Sequence, residues 1–209
     1  MRKYNEGDET QEWIGLEIHH YPDNTKSRGQ YFPLLEMSVR EDPLDDRNAF
    51  YYARELFFHG RNDEAANEFK RHLALPRAVW APERAASMRY LAKIETDKTE
   101  FWSIRAIEQA PGRREPHVDL AKYYYGTSQW DKCYASATAA LDIKEKPLEY
   151  LCEEESWGYV PHDMAAIAAY HLGKFDEAVE HGSQAVELCP ASEKTRLSSN
   201  LSFYASARA

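Results

Sequence analysis

The chain has 209 residues, 43% of them hydrophobic and 29% charged, and carries 14 Tyr, 8 Phe and 5 Trp. Disordered sequences lack such aromatic content, so a packed core is expected. With 26 Lys and Arg against 35 Asp and Glu, the net charge is -9, which excludes a protein built chiefly to grip nucleic-acid phosphates, and no nucleic-acid partner is expected.

Cys133, Cys152 and Cys189 form no Cys-x-x-Cys pair. An odd count at wide spacing reads as reduced thiols and a cytoplasmic setting. No stretch approaches 18 apolar residues, and Met1–Glu6 leads into no apolar run, so neither a membrane span nor a secretory signal is expected. Gly is scarce and Ala abundant, which favours helix over sheet.

In chain order, Trp13-Ile14-Gly15-Leu16-Glu17-Ile18 alternates as a short strand would, and Tyr21-Pro22-Asp23-Asn24 is turn material. Residues 1–30 therefore read as an N-terminal stub. Tyr31–Arg40 has apolar residues at helical spacing before Asp42-Pro43. Beyond it the sequence repeats. Ala53, Leu56, Gly60, Ala65, Phe69 and Leu75 form one block, and Ser87, Tyr90 and Ala106 fall on equivalent positions of a second. Ala121, Tyr124, Trp130, Cys133, Ala137 and Ala140 form a third, and Ala166, Tyr170, Gly173, Phe175, Ala178 and Ala185 a fourth. One late position recurs at Glu41, Leu75, Gln109, Ile143 and Leu188, in three steps of 34 residues and a last of 45. The surplus lies at about 144–155, which carries Pro147 and Glu153-Glu154-Glu155 and reads as an insertion.

Small residues where helices cross, a Gly turn followed by an aromatic and an Ala, and a closing Pro resemble the 34-residue tetratricopeptide pattern. The resemblance implies an all-α, right-handed superhelical solenoid of antiparallel helix pairs over residues 31–209. Thr195–Ala205 would be a C-terminal capping helix with a polar outer side. Cys133 stands where the pattern has Ala and reads as a small buried hydrophobe.

In such a solenoid the first helix of each pair lines an inner groove. Its offsets select Arg47, Phe50, Arg54 and Phe57 from the first pair, Arg84 and Met88 from the second, Glu115, Lys122 and Tyr125 from the third, and Asp163, Ile167 and Tyr170 from the fourth. Cations among aromatics in an acidic protein suit an acidic peptide, a partner protein or a glycan acceptor. The alternative is that Arg47, Arg54 and Arg84 pair within their repeats with Glu41, Glu55 or Glu83. Trp80 and Trp157 precede first helices and read as plugs between repeats. No nucleophile elbow and no Gly-rich phosphate loop occur, and no catalytic residue or cofactor is assigned.

His19-His20-Tyr21-Pro22-Asp23-Asn24-Thr25-Lys26-Ser27-Arg28, Arg40-Glu41-Asp42-Pro43, Trp80-x-x-Glu83-Arg84 and Arg113-Arg114-Glu115-Pro116 resemble the region that follows the catalytic domain in bacterial and phage-type family 2 glycosyltransferases. The resemblance implies that His20, Asp23, Lys26 and Arg28 contact a sugar-nucleotide diphosphate and a divalent metal such as Mn. That family also needs a nucleotide domain and an Asp-x-Asp motif, and no Asp-x-Asp occurs here. A non-catalytic binding module is the first reading. The C-terminal part of a glycosyltransferase is the alternative.

Overall fold

The computed structural model describes residues 31–208. The expected stub, with its strand and with His20, Asp23, Lys26 and Arg28, lies outside the described residues. Among the described residues the elements are α1 (Tyr31–Glu41), α2 (Asp46–Phe58), α3 (Asn62–Ala74), α4 (Ala81–Ile94), α5 (Thr99–Gln109), α6 (Arg114–Gly126), α7 (Trp130–Asp142), a single-turn α8 (Glu154–Trp157), α9 (Val160–His171), α10 (Phe175–Leu188) and α11 (Ala191–Arg208). Short connections make α2/α3, α4/α5, α6/α7 and α9/α10 antiparallel pairs. Each second helix packs on the first helix of the next pair, and the first helices α2, α4, α6 and α9 also touch in succession. They form one layer of the solenoid.

Local chemistry sets the ends. The Asp45 carboxylate accepts a hydrogen bond from the Asn48 N–H at 2.7 Å and caps α2. Pro82 and Pro161 stand in the first turns of α4 and α9, where no N–H is needed. Within the first, third and fourth pairs the reversal uses a residue at positive φ: Gly60 (+73°), Ser128 (55°) and Gly173 (+74°). The second pair has no such residue. Its turn is one residue longer and passes through a 3-10 turn at Thr96–Lys98.

The helices of a pair meet at small side chains. Ala53 and Ala65 share one buried cluster with Phe50, Leu56 and Phe69. Ala121 and Cys133 share a second with Ala137 and Ala140, and Ala166 and Ala178 a third. Burial pushes the Cys133 thiol up to about 11, so it stays protonated and packs as a small apolar group. At the far end α11 lies on α10 and buries Leu197 and Tyr204. A Cβ on Gly182 would stand 3.1 Å from the Tyr204 ring, so this approach depends on the missing side chain.

Two expectations follow from this packing. Ala65→Leu, Ala140→Leu and Ala178→Leu should each destabilise the chain by roughly 1–3 kcal/mol through overpacking, read from denaturant midpoints. The second concerns His72, which is fully buried against the Phe50 ring (centroids 5.6 Å apart) with Nδ1 2.9 Å from Ser87 Oγ. Burial, with smaller contributions from Arg84 and Arg71, holds its imidazole down to about 4. The unfolded chain takes up that proton near pH 6.5, so stability present above pH 6.5 is lost as pH falls toward 4. Thermal melts across that window should show the decline, and His72→Gln should reduce it, the remainder coming from His162, which burial also holds down to about 4.

Candidate functional site

The layer of first helices is covered by the chain itself. After α7, residues 144–153 do not enter the next first helix directly. They turn back across α6 and α4 toward α2. Arg114 Nε holds the start of the segment by donating to the Ile143 carbonyl at 2.9 Å. Over α6, the buried Glu115 carboxylate accepts from the backbone N–H of Glu153 (3.0 Å) and from Trp157 Nε1 (2.9 Å). Arg113 ion-pairs with Glu149 and donates to Cys152 Sγ at 3.6 Å. Over α4, Arg89 reaches Glu153 at 2.8 Å while its Nε binds Asp119 of α6 at 2.5 Å. The Tyr150 hydroxyl donates to Glu83 of α4, its ring stacks on Trp80 (5.6 Å), and the Arg47 guanidinium of α2 lies 5.9 Å from the ring centre. Leu151 packs on the cluster holding Phe50 and Ala86. These anchors come mainly from first helices and the residues that lead into them, which places the strap along the inner face.

The strap sets the electrostatics. Burial raises the Glu83 carboxyl above its ordinary range, against the opposing hydrogen bond from Tyr150 and the charge of Arg47. Glu153 is lowered, because the bond and charge of Arg89 outweigh its burial. Arg89 is 7% exposed and remains a cation, held by Asp119 and Glu153.

The expected groove residues separate into groups. Arg47 lies against Tyr51 and Tyr150, and Lys122 stands 3.7 Å from Glu155 of the insertion. Both belong to the strap's surroundings. Arg54 lies over the rings of Tyr51 (5.1 Å), Phe50 and Phe58, and Phe57 packs 5.0 Å from Tyr90. Phe50 is a core residue with no exposed surface, and Met88 is buried too. Arg84 departs furthest from expectation. Its guanidinium donates to the Leu73 and Ala78 carbonyls (2.9 Å each) and to Gln109, so it clamps the α3–α4 connection. Asp163 is buried and ion-pairs with Arg196 of α11 at 2.9 Å. The alternative pairs of Arg47, Arg54 and Arg84 with Glu41, Glu55 or Glu83 do not form among the described residues. Trp80 is a platform for Tyr150 rather than a plug between repeats.

The residues that position the strap but were not selected from sequence as groove residues include Glu83, Arg89, Arg113 and Arg114, with Glu149, Tyr150 and Glu153 of the strap itself.

Past the strap the layer is open. Tyr125, Trp130, Ile167, Tyr170, His171 and Phe203 line a hollow of about 570 Å³ between α6, α9 and α11. His171 stacks on Trp130 with centroids 3.9 Å apart, and Phe203 is 68% exposed. Among the described residues, no three His, Cys, Asp or Glu side chains are grouped to hold a metal ion. No described helix is long and apolar enough to cross a membrane.

The stacked helix pairs match a solved structure. The chain is similar to the crystal structure of MamA, at TM-score 0.57 and 16% identity, over 75% of this chain and 85% of that one. The fold is that of a tetratricopeptide-repeat solenoid. Two further structures align with lower scores. TTC0263, a thermophilic TPR protein of Thermus thermophilus, aligns at TM-score 0.48 and 18% identity over 85% of this chain and 88% of that one. Yeast Tom70 aligns at 0.47 and 14% over 88% of this chain and 44% of that one. No family model matches the sequence, and no curated protein matches it.

Proposed function

We propose that this chain is a non-catalytic interaction module that holds a non-helical segment of a partner protein or peptide on the face made by its first helices. One observation carries the reading. That face already grips one such segment, residues 147–153, through Glu83, Arg89 and Glu115 of two first helices. A surface that orders a peptide by side-chain clamps on a rigid helical layer is preorganised to order another. The open hollow extends the same face with exposed aromatics, which contribute contact area at low entropic cost. The three free cysteines accord with a cytoplasmic setting.

A random peptide library displayed on phage and panned on the immobilised chain tests this. Selected peptides should lose at least tenfold in affinity, about 1.4 kcal/mol, when Lys122→Glu or Tyr170→Ala is introduced into the folded chain. Peptides that bind both variants like the parent, or no enrichment at all, would remove the inner face as the site.

The resemblance to family 2 glycosyltransferases supports a second setting, in which the module accompanies sugar transfer and engages a glycan acceptor. His20, Asp23, Lys26 and Arg28 would then contact the diphosphate and a divalent metal such as Mn. Incubated with UDP- or GDP-sugars and manganese, the chain should release no nucleotide. Turnover that vanishes in His20→Ala would replace the module reading by the enzymatic one.

A further inference from the structure

We infer that the partner of the inner face is an acidic segment carrying a Tyr-Leu pair, that residues 149–155 (Glu-Tyr-Leu-Cys-Glu-Glu-Glu) are a built-in copy of it, and that the partner binds by displacing this copy. The inference rests on the module reading above.

The joint between α7 and α9 does not need the strap. Helices α7 and α9 pack directly on each other, and the other joints between pairs are made in six residues (75–80) and four (110–113). The strap's path is therefore surplus to the joint. Its composition is also specific. Residues 144–157 hold five glutamates against two lysines, and the glutamates land on cations: Glu149 on Arg113, Glu153 on Arg89 and Glu155 on Lys122. The strap is an acidic peptide bound to the cationic part of an acidic protein.

Its anchoring is of the kind that exchanges. Buried ion pairs lose in desolvation much of what they gain in attraction, so charge anchors fix register more than they add stability. The apolar contribution is small: Leu151 is half-buried and Leu148 is 87% exposed. A hollow of about 30 Å³ remains beside Leu151. The tether adds to these anchors, since a short linker gives an effective concentration of about millimolar. A partner with the same charges and a better apolar fit overcomes that.

The test uses a fluorescent peptide of residues 145–157 with Cys152→Ser, and a control with lysine at the positions of Glu149, Glu153 and Glu155. In one variant of the full chain, residues 148–155 become a Gly/Ser linker of equal length. In a second, Tyr150→Ala and Glu153→Ala loosen two anchors. The peptide should bind the linker variant at least about tenfold more tightly than the parent, because the parent's groove is open only a fraction of the time. The double variant should fall between, and the control peptide should bind none of them. Cys152 supplies a second readout that does not need the linker variant to fold. In a Cys189→Ser background, saturating peptide should speed thiol labelling of Cys152 as the strap leaves Arg113. The proposal is overturned if peptide and control bind alike, if the folded linker variant binds no better than the parent, or if Cys152 labelling is unchanged at saturation. Library peptides that still map to the inner face while this peptide does not bind would sink the inference and leave the module reading standing.

Discussion

A helix pair that crosses at alanine brings two backbones close together, and the rest of this molecule follows from that closeness. Ala53 with Ala65, Ala121 with Cys133, and Ala166 with Ala178 leave no room for a large side chain at the crossing. The bulky residues are pushed to either side of it: Phe50, Leu56 and Phe69 in the first pair, Tyr124 in the third. A single pair therefore has too little apolar surface of its own to fold alone, and stability comes from stacking on its neighbours. Stacking in turn aligns the first helices in one layer. The face that this layer turns inward is covered by no second helix.

Such a face is a liability if apolar and must be matched if charged. This chain has charged it, and with both signs. Glu83, Arg89, Arg113, Glu115 and Asp119 lie within two repeats. Cations concentrated on one surface repel each other unless acids offset them. Part of the offset is local, as in Arg89 with Asp119. The remainder is brought by the strap, whose glutamates complete the pairs of Arg89 and Arg113. The strap also removes these groups from water, which strengthens each pair and raises its desolvation cost together. A groove built this way is sensitive to what lies in it. With the strap in place, Glu83, Arg89, Arg113 and Glu115 are buried.

How much of this was legible in the sequence depends on the range of the signal. The helix pairs were legible because a small residue at a fixed spacing, Ala53, Ser87, Ala121 and Ala166, is a local signal repeated four times. Ala65, Cys133 and Ala178 identify the crossings by position alone. The insertion was visible as surplus length and acidic composition at about 144–155. Its destination was not, because nothing periodic links Tyr150 to Glu83 or Glu153 to Arg89, 67 and 64 residues away. The groove offsets select Arg47 and Lys122, which lie beside Tyr150 and Glu155. They misplaced Arg84, in the pair whose turn runs through Thr96–Lys98. Glu83 and Arg89 of α4 face the strap, while Arg84 clamps loop carbonyls. Phe50 shares its repeat position with Arg84, Val118 and Asp163, and Val118 and Asp163 are buried as Phe50 is, so this offset faces the packed interior rather than the groove.

The two ends of the inner face differ in kind, and this decides how a ligand would be discriminated. At the α2–α6 end, recognition is by charge against a resident competitor. What counts there is the difference between partner and strap, because binding energy common to both shifts nothing. Screening by salt weakens both occupants through the same cations, so the exchange is less salt-dependent than either interaction alone. At the α6–α11 end, Tyr125, Tyr170 and Phe203 face a hollow that the strap does not reach. Contacts there add to a partner's affinity with nothing to subtract. A segment that spans both ends gains its advantage over the strap at the aromatic end and its register at the charged one. The internal copy, tethered at α7 and α9, can reach only the second.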